Sequence, residues 1–144
     1  MINQETLQQF LAHVPKRTPL SEKEAESFYA FGFSLYGAGS FKKAADVFEV
    51  LCVQRPLQHR HWFGLASSLQ ESGEYDKALP AWAMAAILDS SNPYPHFHAA
   101  ECCFSLKQIK EAKTALQAAL TRVQDNSTLK DQIILLQQRW DEAL

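Results

Sequence analysis

The sequence predicts an all-α fold, a solenoid of three tandem helix-turn-helix repeats, and three observations support this prediction. The segments that begin at Ala25, His59 and Pro93 align without a gap, each 34 residues after the last. Small residues recur at two fixed positions, where the two helices of a pair would approach closely. Glycine recurs near the middle, where a left-handed residue ends a helix. A constant period across about 100 residues is improbable by chance, so the repeat defines the fold.

The repeated columns also explain how the helices pack. Small residues fill the eighth and twentieth positions of the repeats: Gly32, Ala66, Ala100, Ala44, Ala78 and Ala112. Large apolar residues at the fourth and twenty-fourth positions fill the space beside them, as ridges pack into grooves. Examples are Phe28, Trp62, Phe48, Trp82 and Leu116. One pair cannot bury its apolar face alone, so neighbouring pairs must stack.

Six helices follow in order from these columns, and a seventh comes after them. The first six are predicted over residues 22–38, 41–54, 58–72, 75–89, 93–106 and 109–123. Ser21 and Glu24 form a capping-box pattern before the first helix, and Asn92 followed by Pro93 starts the fifth. A seventh helix follows Thr128, with one apolar stripe of Leu129, Ile133, Leu136 and Trp140. We expect it to cap the solenoid.

Residues 1–20 are predicted to form a unit of their own ahead of the repeat domain, which covers residues 21–144. The stretch from Pro15 to Pro19 breaks the helical pattern and acts as a linker. Four apolar residues before it fall at helical spacing and predict a short amphipathic helix: Leu7, Phe10, Leu11 and Val14. Such a short helix needs something to pack on, and it either joins two subunits through these residues or folds back on the first repeat.

Composition excludes several classes of function. The net charge of -2 offers no basic field for nucleic acid phosphates. No apolar run approaches the roughly 20 residues that span a bilayer, and the N-terminus lacks the pattern of a secretion signal. The three cysteines include an adjacent pair and do not form a disulfide framework, so we expect reduced, buried thiols.

Metal-binding and catalytic side chains are present without the spacing that their chemistry needs. Two His-x-His pairs lie at residues 59–61 and 96–98, close in the pattern to Cys102 and Cys103. Alternate residues on a helix point about 200° apart, so one histidine of each pair faces away from the other. A pair of His98 with Cys102 lacks an orienting acid. No phosphate-binding glycine loop exists. We therefore predict no metal site, no catalytic site and no cofactor.

The column pattern resembles the tetratricopeptide repeat, although Lys107 replaces the usual glycine in the third repeat and Gln124 the closing proline. The resemblance implies that the first helix of each pair lines the inside of a superhelical curve. Seven aromatic residues then face this groove: Tyr29, Phe33, Tyr36, Phe63, Tyr94, Phe97 and Phe104. They predict a surface that binds an extended peptide. The alternative, which carries most weight for Phe104, is that several of these residues belong to the core or lie under the C-terminal helix.

The same phase disfavours one kind of peptide recognition. Co-chaperones of this repeat class bind a terminal carboxylate with Lys and Asn at the fifth and ninth positions of the first repeat. Tyr29 and Phe33 occupy those positions here and supply no such donors.

Three strings carry a closer resemblance, to the class II chaperones of bacterial type III secretion. Residues 28–36 are similar to their first helix, residues 75–79 to the turn of their second repeat, and residues 95–102 to their third-repeat helix, with its Phe-His-Ala-Ala-Glu-Cys. The resemblance covers about residues 20–125. The three repeats with a helix on either side and the mildly acidic pI of about 6.2 agree with it.

The resemblance implies a non-enzymatic chaperone of the bacterial cytoplasm. Members of this family bind hydrophobic translocator proteins through an extended segment in the concave groove and keep them soluble before export. They often form homodimers through the N-terminal region, without inserting into a membrane. A structural adaptor that joins parts of a larger assembly, with no such holding role, is the alternative.

Overall fold

The protein is described by a computed structural model that covers residues 5, 9 and 19–142. Residues 19–142 contain seven helices and no strand, which confirms the predicted all-α fold for this part of the chain. The helices are α1 Glu22–Gly37, α2 Phe41–Gln54, α3 His59–Glu71, α4 Tyr75–Leu88, α5 Tyr94–Ser105, α6 Ile109–Leu120 and α7 Ser127–Glu142. Their ends lie within a few residues of the predicted ones.

The predicted capping box is present at α1, whereas at α5 the N-cap is Pro93 instead of the predicted Asn92. At α1 the Glu24 N–H donates to the Ser21 hydroxyl at 3.1 Å, and the Ser21 N–H donates to the Glu24 carboxylate at 3.0 Å. The capping box is therefore confirmed. At α5 the Tyr94 N–H donates to the Asn92 side chain at 2.9 Å, so Asn92 satisfies this helix start although α5 begins one residue later than predicted.

Left-handed residues end the first helix of each repeat, as the glycine column predicts. Gly39 and Gly73 have φ angles of 80° and 81°. Lys107 takes the same conformation, with a φ angle of 63°, although its side chain makes that region unfavourable. The geometry of the repeat therefore imposes this turn even where the sequence lacks glycine.

One apolar core joins α1 to α4, and the small residues of the repeat allow its close packing. Phe48 of α2 is 2% exposed and lies against both Gly32 of α1 and Gly64 of α3. A Cβ atom added at Gly32 would lie 3.0 Å from the Phe48 ring, and one added at Gly64 would lie 2.6 Å from it. The Gly32 contact confirms the predicted pairing of small and large columns, whereas the Gly64 contact, where only a hydrogen atom fits, lies outside the predicted columns.

A second core joins α5, α6 and α7. Leu129, Ile133 and Trp140 of α7 are buried in it, with Leu136 half-buried beside them. The predicted apolar stripe is thus confirmed, and α7 covers the end of the solenoid. None of the helices between residues 19 and 142 is long and apolar enough to cross a membrane. The predicted dimerisation residues Leu7, Phe10, Leu11 and Val14 lie outside the described residues, so this prediction and the separate N-terminal unit remain untested.

Candidate peptide-binding cavity

An open cavity of about 400 Å³ lies between α1 and α3, with α2 beneath it. We call it the aromatic cavity. Its lining comprises Tyr29, Phe33, Tyr36, Phe48, His59, Arg60, Phe63, Gly64 and Ser67. The α1 residues are spaced by four and three positions and therefore share one face of that helix. The volume falls within the range of sites that bind small molecules and side chains.

Four of the seven sequence-predicted groove residues meet in this cavity: Tyr29, Phe33, Tyr36 and Phe63. Phe33 is 66% exposed, whereas the other three are half-buried against the α1–α4 core. The Tyr29 ring meets Phe48 edge-on at 5.9 Å, and Phe63 meets Trp82 edge-on at 4.8 Å. These edge contacts hold the Tyr29 and Phe63 rings in place as walls of the cavity.

Tyr36 adds a polar group to the wall of the aromatic cavity. Burial, and to a smaller extent the nearby Glu71 carboxylate, raises the pKa of the Tyr36 hydroxyl above its ordinary value. The hydroxyl therefore stays neutral under physiological conditions and retains a proton to donate. It can hydrogen-bond the backbone of an extended segment whose side chains occupy the cavity.

The remaining three predicted groove residues lie elsewhere. Tyr94 is 39% exposed, and its hydroxyl accepts a hydrogen bond from Asn126 at 3.1 Å. Phe97 packs on the α5–α7 core, and the Phe104 ring stacks on Trp140 at 4.6 Å. For Phe104 the structure therefore supports the alternative to a groove position, because the ring lies against the C-terminal helix. None of the three lines the aromatic cavity.

Sequence reasoning missed several residues of the lining. Arg60 and Ser67 occupy inner positions of the second repeat, but their polar side chains carry no aromatic signal for the groove. Phe48 forms the floor because Gly64 lets α3 approach it closely. No repeat column marks Gly64, since Ala30 and His98 hold the equivalent positions. The signal for this contact lies only in the packing of α2 against α3.

A charged pair borders the aromatic cavity at its exposed side. The Arg60 guanidinium pairs with the Glu26 carboxylate, and its central carbon lies 4.2 Å from the centre of the Tyr29 ring. The two side chains are 42% and 64% exposed, so the pair contributes little to folding stability. It places a cation directly at the rim where a ligand would enter.

A polar network supports the wall between the second and third repeats. The Gln70 side chain accepts hydrogen bonds from the Trp82 indole at 2.9 Å and the Cys102 thiol at 3.3 Å, and donates to Glu101 at 3.2 Å. The His98 ring stacks on Trp82 at 4.9 Å. This network fixes Trp82, on which Phe63 rests.

The thiols show no reactive arrangement in the described part of the chain, although the His98 ring lies 2.7 Å from the Glu101 carboxylate, an orienting acid that the sequence did not predict. Burial, and then the charge of Glu101, raises the pKa of Cys102 to about 12, so the thiol stays protonated and is a poor nucleophile. Burial, and then Glu49, likewise raises the pKa of Cys52 to about 12. Over residues 19–142 no three His, Cys, Asp or Glu side chains are grouped to hold a metal ion.

Two protein families match the chain. The family described as "Tetratricopeptide repeat" matches residues 25–56, and the family described as "Anaphase-promoting complex, cyclosome, subunit 3" matches residues 48–119. Among curated proteins, the low calcium response locus protein H of Yersinia pestis is 32% identical over 112 residues. The matched region covers 78% of this chain and 67% of that protein.

Several solved structures are also similar to this chain. PcrH from Pseudomonas aeruginosa, in complex with the chaperone binding region of PopD, is similar with a TM-score of 0.81 and 28% identity, covering 86% of this chain and 96% of that one. The type III secretion chaperone SycD of Yersinia enterocolitica, with a peptide of the translocator YopD, has a TM-score of 0.71 and 28% identity, covering 81% and 97%. SycD has also been solved as an alternative dimer, at 28% identity and a TM-score of 0.72, covering 81% and 96%.

Proposed function

Because this chain belongs to the class II translocator chaperones of type III secretion, we propose that it holds a hydrophobic translocator protein through an extended segment bound in the aromatic cavity. The observation that carries this proposal is the cavity itself, an open space of about 400 Å³ with aromatic walls and a polar rim. The relatives that were solved with a translocator peptide or a chaperone binding region support it.

The proposed mechanism is occupation of an aggregation-prone segment. Burial of one apolar cargo side chain in the cavity stabilises the complex by about 1.5–3 kcal/mol, and the contributions of several such anchors along one segment add together. Phe33 contributes because its ring is largely exposed and gains burial only when a ligand covers it. While bound, the segment cannot pair with another copy of itself. The cycle needs no nucleotide and no chemical step, so we propose that the protein is not an enzyme.

We further propose where and in what form the protein acts. The chaperone would meet its cargo in the bacterial cytoplasm, before export. It would form a homodimer through the amphipathic segment that contains Leu7, Phe10, Leu11 and Val14. The dimer solved for the relative SycD supports a second copy as a partner. The net charge of -2 supports no role in binding nucleic acid.

Co-expression with a candidate translocator tests this function. We expect the translocator to stay soluble with the wild-type protein and to aggregate with a Phe33→Glu variant, because a charge at the rim opposes burial of an apolar segment. Val53→Glu is the matched control, since Val53 is 70% exposed on α2 and does not line the cavity. Helicity by circular dichroism should be equal in all three proteins.

Two outcomes would contradict the proposal. A translocator that is equally soluble with and without the protein would favour the adaptor function instead. Equal loss of solubility in the Phe33→Glu and Val53→Glu variants would show that binding does not depend on the aromatic cavity.

A further inference from the structure

A smaller cavity of about 210 Å³ lies where α1 and α3 begin. We call it the polar cavity. Its lining comprises Glu22, Ala25, Glu26, Arg55, Gln58, Arg60 and His61. Arg60 lines the aromatic cavity as well. The His61 ring lies 5.9 Å from the Tyr29 ring, so one ring contact separates the two cavities.

The polar cavity contains buried donors without acceptors. The His61 side chain is 1% exposed, and within the described structure neither ring nitrogen makes a hydrogen bond of good geometry, although the Arg55 backbone lies close enough to act on the ring. The Arg55 Nε is also buried without a partner, whereas the Nη2 of the same guanidinium donates to the Leu20 carbonyl at 3.0 Å. Leaving such a group unpaired costs about 1–3 kcal/mol, and native proteins rarely leave several together. Within the described structure, neither the Glu22 nor the Glu26 carboxylate that lines the cavity pairs with these donors.

The start of α3 adds a favourable field for a negative charge. No side chain caps this helix, because Gln58 makes no capping hydrogen bond, and its first turn contains no acidic residue. The positive end of the helix dipole is thus not neutralised by α3 itself. This end and the unpaired donors belong to the same cavity, since Gln58 and His61 both line it.

The charges that face the cavity nearly balance before anything binds. Arg55 and Arg60 are opposed by Glu22 and Glu26, and Glu26 is already paired with Arg60. Burial lowers the pKa of His61, and the Arg60 and Arg55 guanidinium groups lower it further, against the opposing effects of the Arg55 carbonyl and Glu26. The free ring is therefore neutral near pH 7. An added anion would favour the imidazolium.

From these contacts we infer that the polar cavity binds the carboxylate of an acidic side chain in the same cargo segment whose apolar side chain fills the aromatic cavity. The inference rests on the proposed function and adds a specificity element to it. The carboxylate accepts hydrogen bonds from Arg55 Nε and from a His61 ring nitrogen, and His61 takes up a proton from solvent as the anion binds. A cargo side chain brings a single negative charge. It is favoured over a free dianion because the Glu22 and Glu26 carboxylates repel the additional charge that a dianion carries.

Matched synthetic peptides test the inference on the full-length wild-type protein. Each labelled peptide has one leucine anchor in a glycine–serine background and an amidated C-terminus, with a single Glu or a single Gln at varied spacing from the leucine. By fluorescence anisotropy we expect the best Glu peptide to bind about tenfold more tightly than its Gln counterpart, because a charged acceptor makes stronger hydrogen bonds. The preference should grow between about pH 8 and about pH 6, since binding takes up a proton.

The peptide results separate this inference from the proposed function. Equal binding of both peptides overturns the carboxylate site alone. Binding of neither peptide overturns the aromatic cavity as a site for extended segments and the inference with it. A Gln peptide with a free C-terminal carboxylate is the third arm, and tighter binding of that peptide alone would overturn the assignment to an acidic side chain.

Variants and the His61 ring provide the structural readout. In Arg55→Gln the preference for Glu should disappear while affinity for the Gln peptide is unchanged, whereas Lys43→Gln removes the same charge from the exposed side of α2 and should keep the preference. Nuclear magnetic resonance of the His61 ring in the wild-type protein should show a pKa that is higher with the Glu peptide than with the Gln peptide. The same ring titration with both peptides would overturn the inference.

Discussion

The first two repeats and the third share one helix-turn-helix geometry, yet the inner faces of the first two form an open cavity, whereas α7 packs on the inner face of the third at Phe104 and leaves Tyr94 exposed. The twelfth position of the repeat shows the difference. Tyr36 lines the aromatic cavity, Gln70 joins the buried polar network, and Phe104 stacks on Trp140 of α7. The same position therefore serves binding, wall support and closure of the solenoid. Its role depends on which helix stacks next to it.

This comparison separates residues that bind from residues that hold the fold. Phe33 is 66% exposed and has little packing to lose, whereas the α5–α7 core depends on the cover that α7 provides. Substitutions at exposed residues such as Phe33 should therefore mainly weaken cargo binding, whereas substitutions in the α5–α7 core should mainly lower stability.

Truncation of Phe104 and of Phe33 should have opposite consequences. Phe104→Ala removes the ring that stacks on Trp140 at 4.6 Å, and we expect it to lower the free energy of unfolding by about 2–3 kcal/mol. Phe33→Ala should change it by less than about 0.5 kcal/mol but weaken peptide binding. Urea denaturation and fluorescence anisotropy measure the two effects. If Phe104→Ala instead weakened binding without loss of stability, Phe104 would belong to the groove.

A methyl group at Gly64 should damage both the packing and the cavity. Its Cβ would lie 2.6 Å from the Phe48 ring, so Gly64→Ala forces α3 and α2 apart or turns the ring that floors the aromatic cavity. We expect a loss of about 1–2 kcal/mol in the free energy of unfolding and weaker peptide binding. Gly37→Ala is the control, because nothing lies within 4 Å of its added Cβ. A stable Gly64→Ala variant with normal binding would show that the floor adjusts freely.

The sequence predicts the helices well because their signals are local. The capping box of Ser21 and Glu24 and the glycine before α2 act within a few residues, and the constant period extends them to all three repeats. The phase also places Tyr29 and Phe63 on the inner face. The sequence does not predict the floor of the aromatic cavity or the position of Phe104, because the approach of Gly64 to Phe48 and the docking of α7 over Phe104 depend on tertiary packing.

The polar cavity is beyond sequence reasoning for a similar reason. Arg55 follows the end of α2 and falls on no helical face that the repeat phase assigns. His61 is at the third position of its repeat, where the other two repeats have Ser27 and Pro95. Only the stacking of α1 against α3 brings their donors together in one space.

The turn of the third repeat should show the smallest effect, and in the opposite direction. Lys107 has a φ angle of 63°, at the position where Gly39 and Gly73 end the earlier helices. Lys107→Gly relieves a backbone conformation that costs about 1–2 kcal/mol, but it also adds freedom to the unfolded chain, so we expect a net gain of roughly 0.5 kcal/mol in thermal or urea denaturation. Lys110→Gly is the matched control, because Lys110 is exposed within α6, where glycine should only destabilise. A gain for Lys110→Gly, or a loss for Lys107→Gly, would show that the third repeat does not store strain in its turn, and would remove this difference between it and the first two.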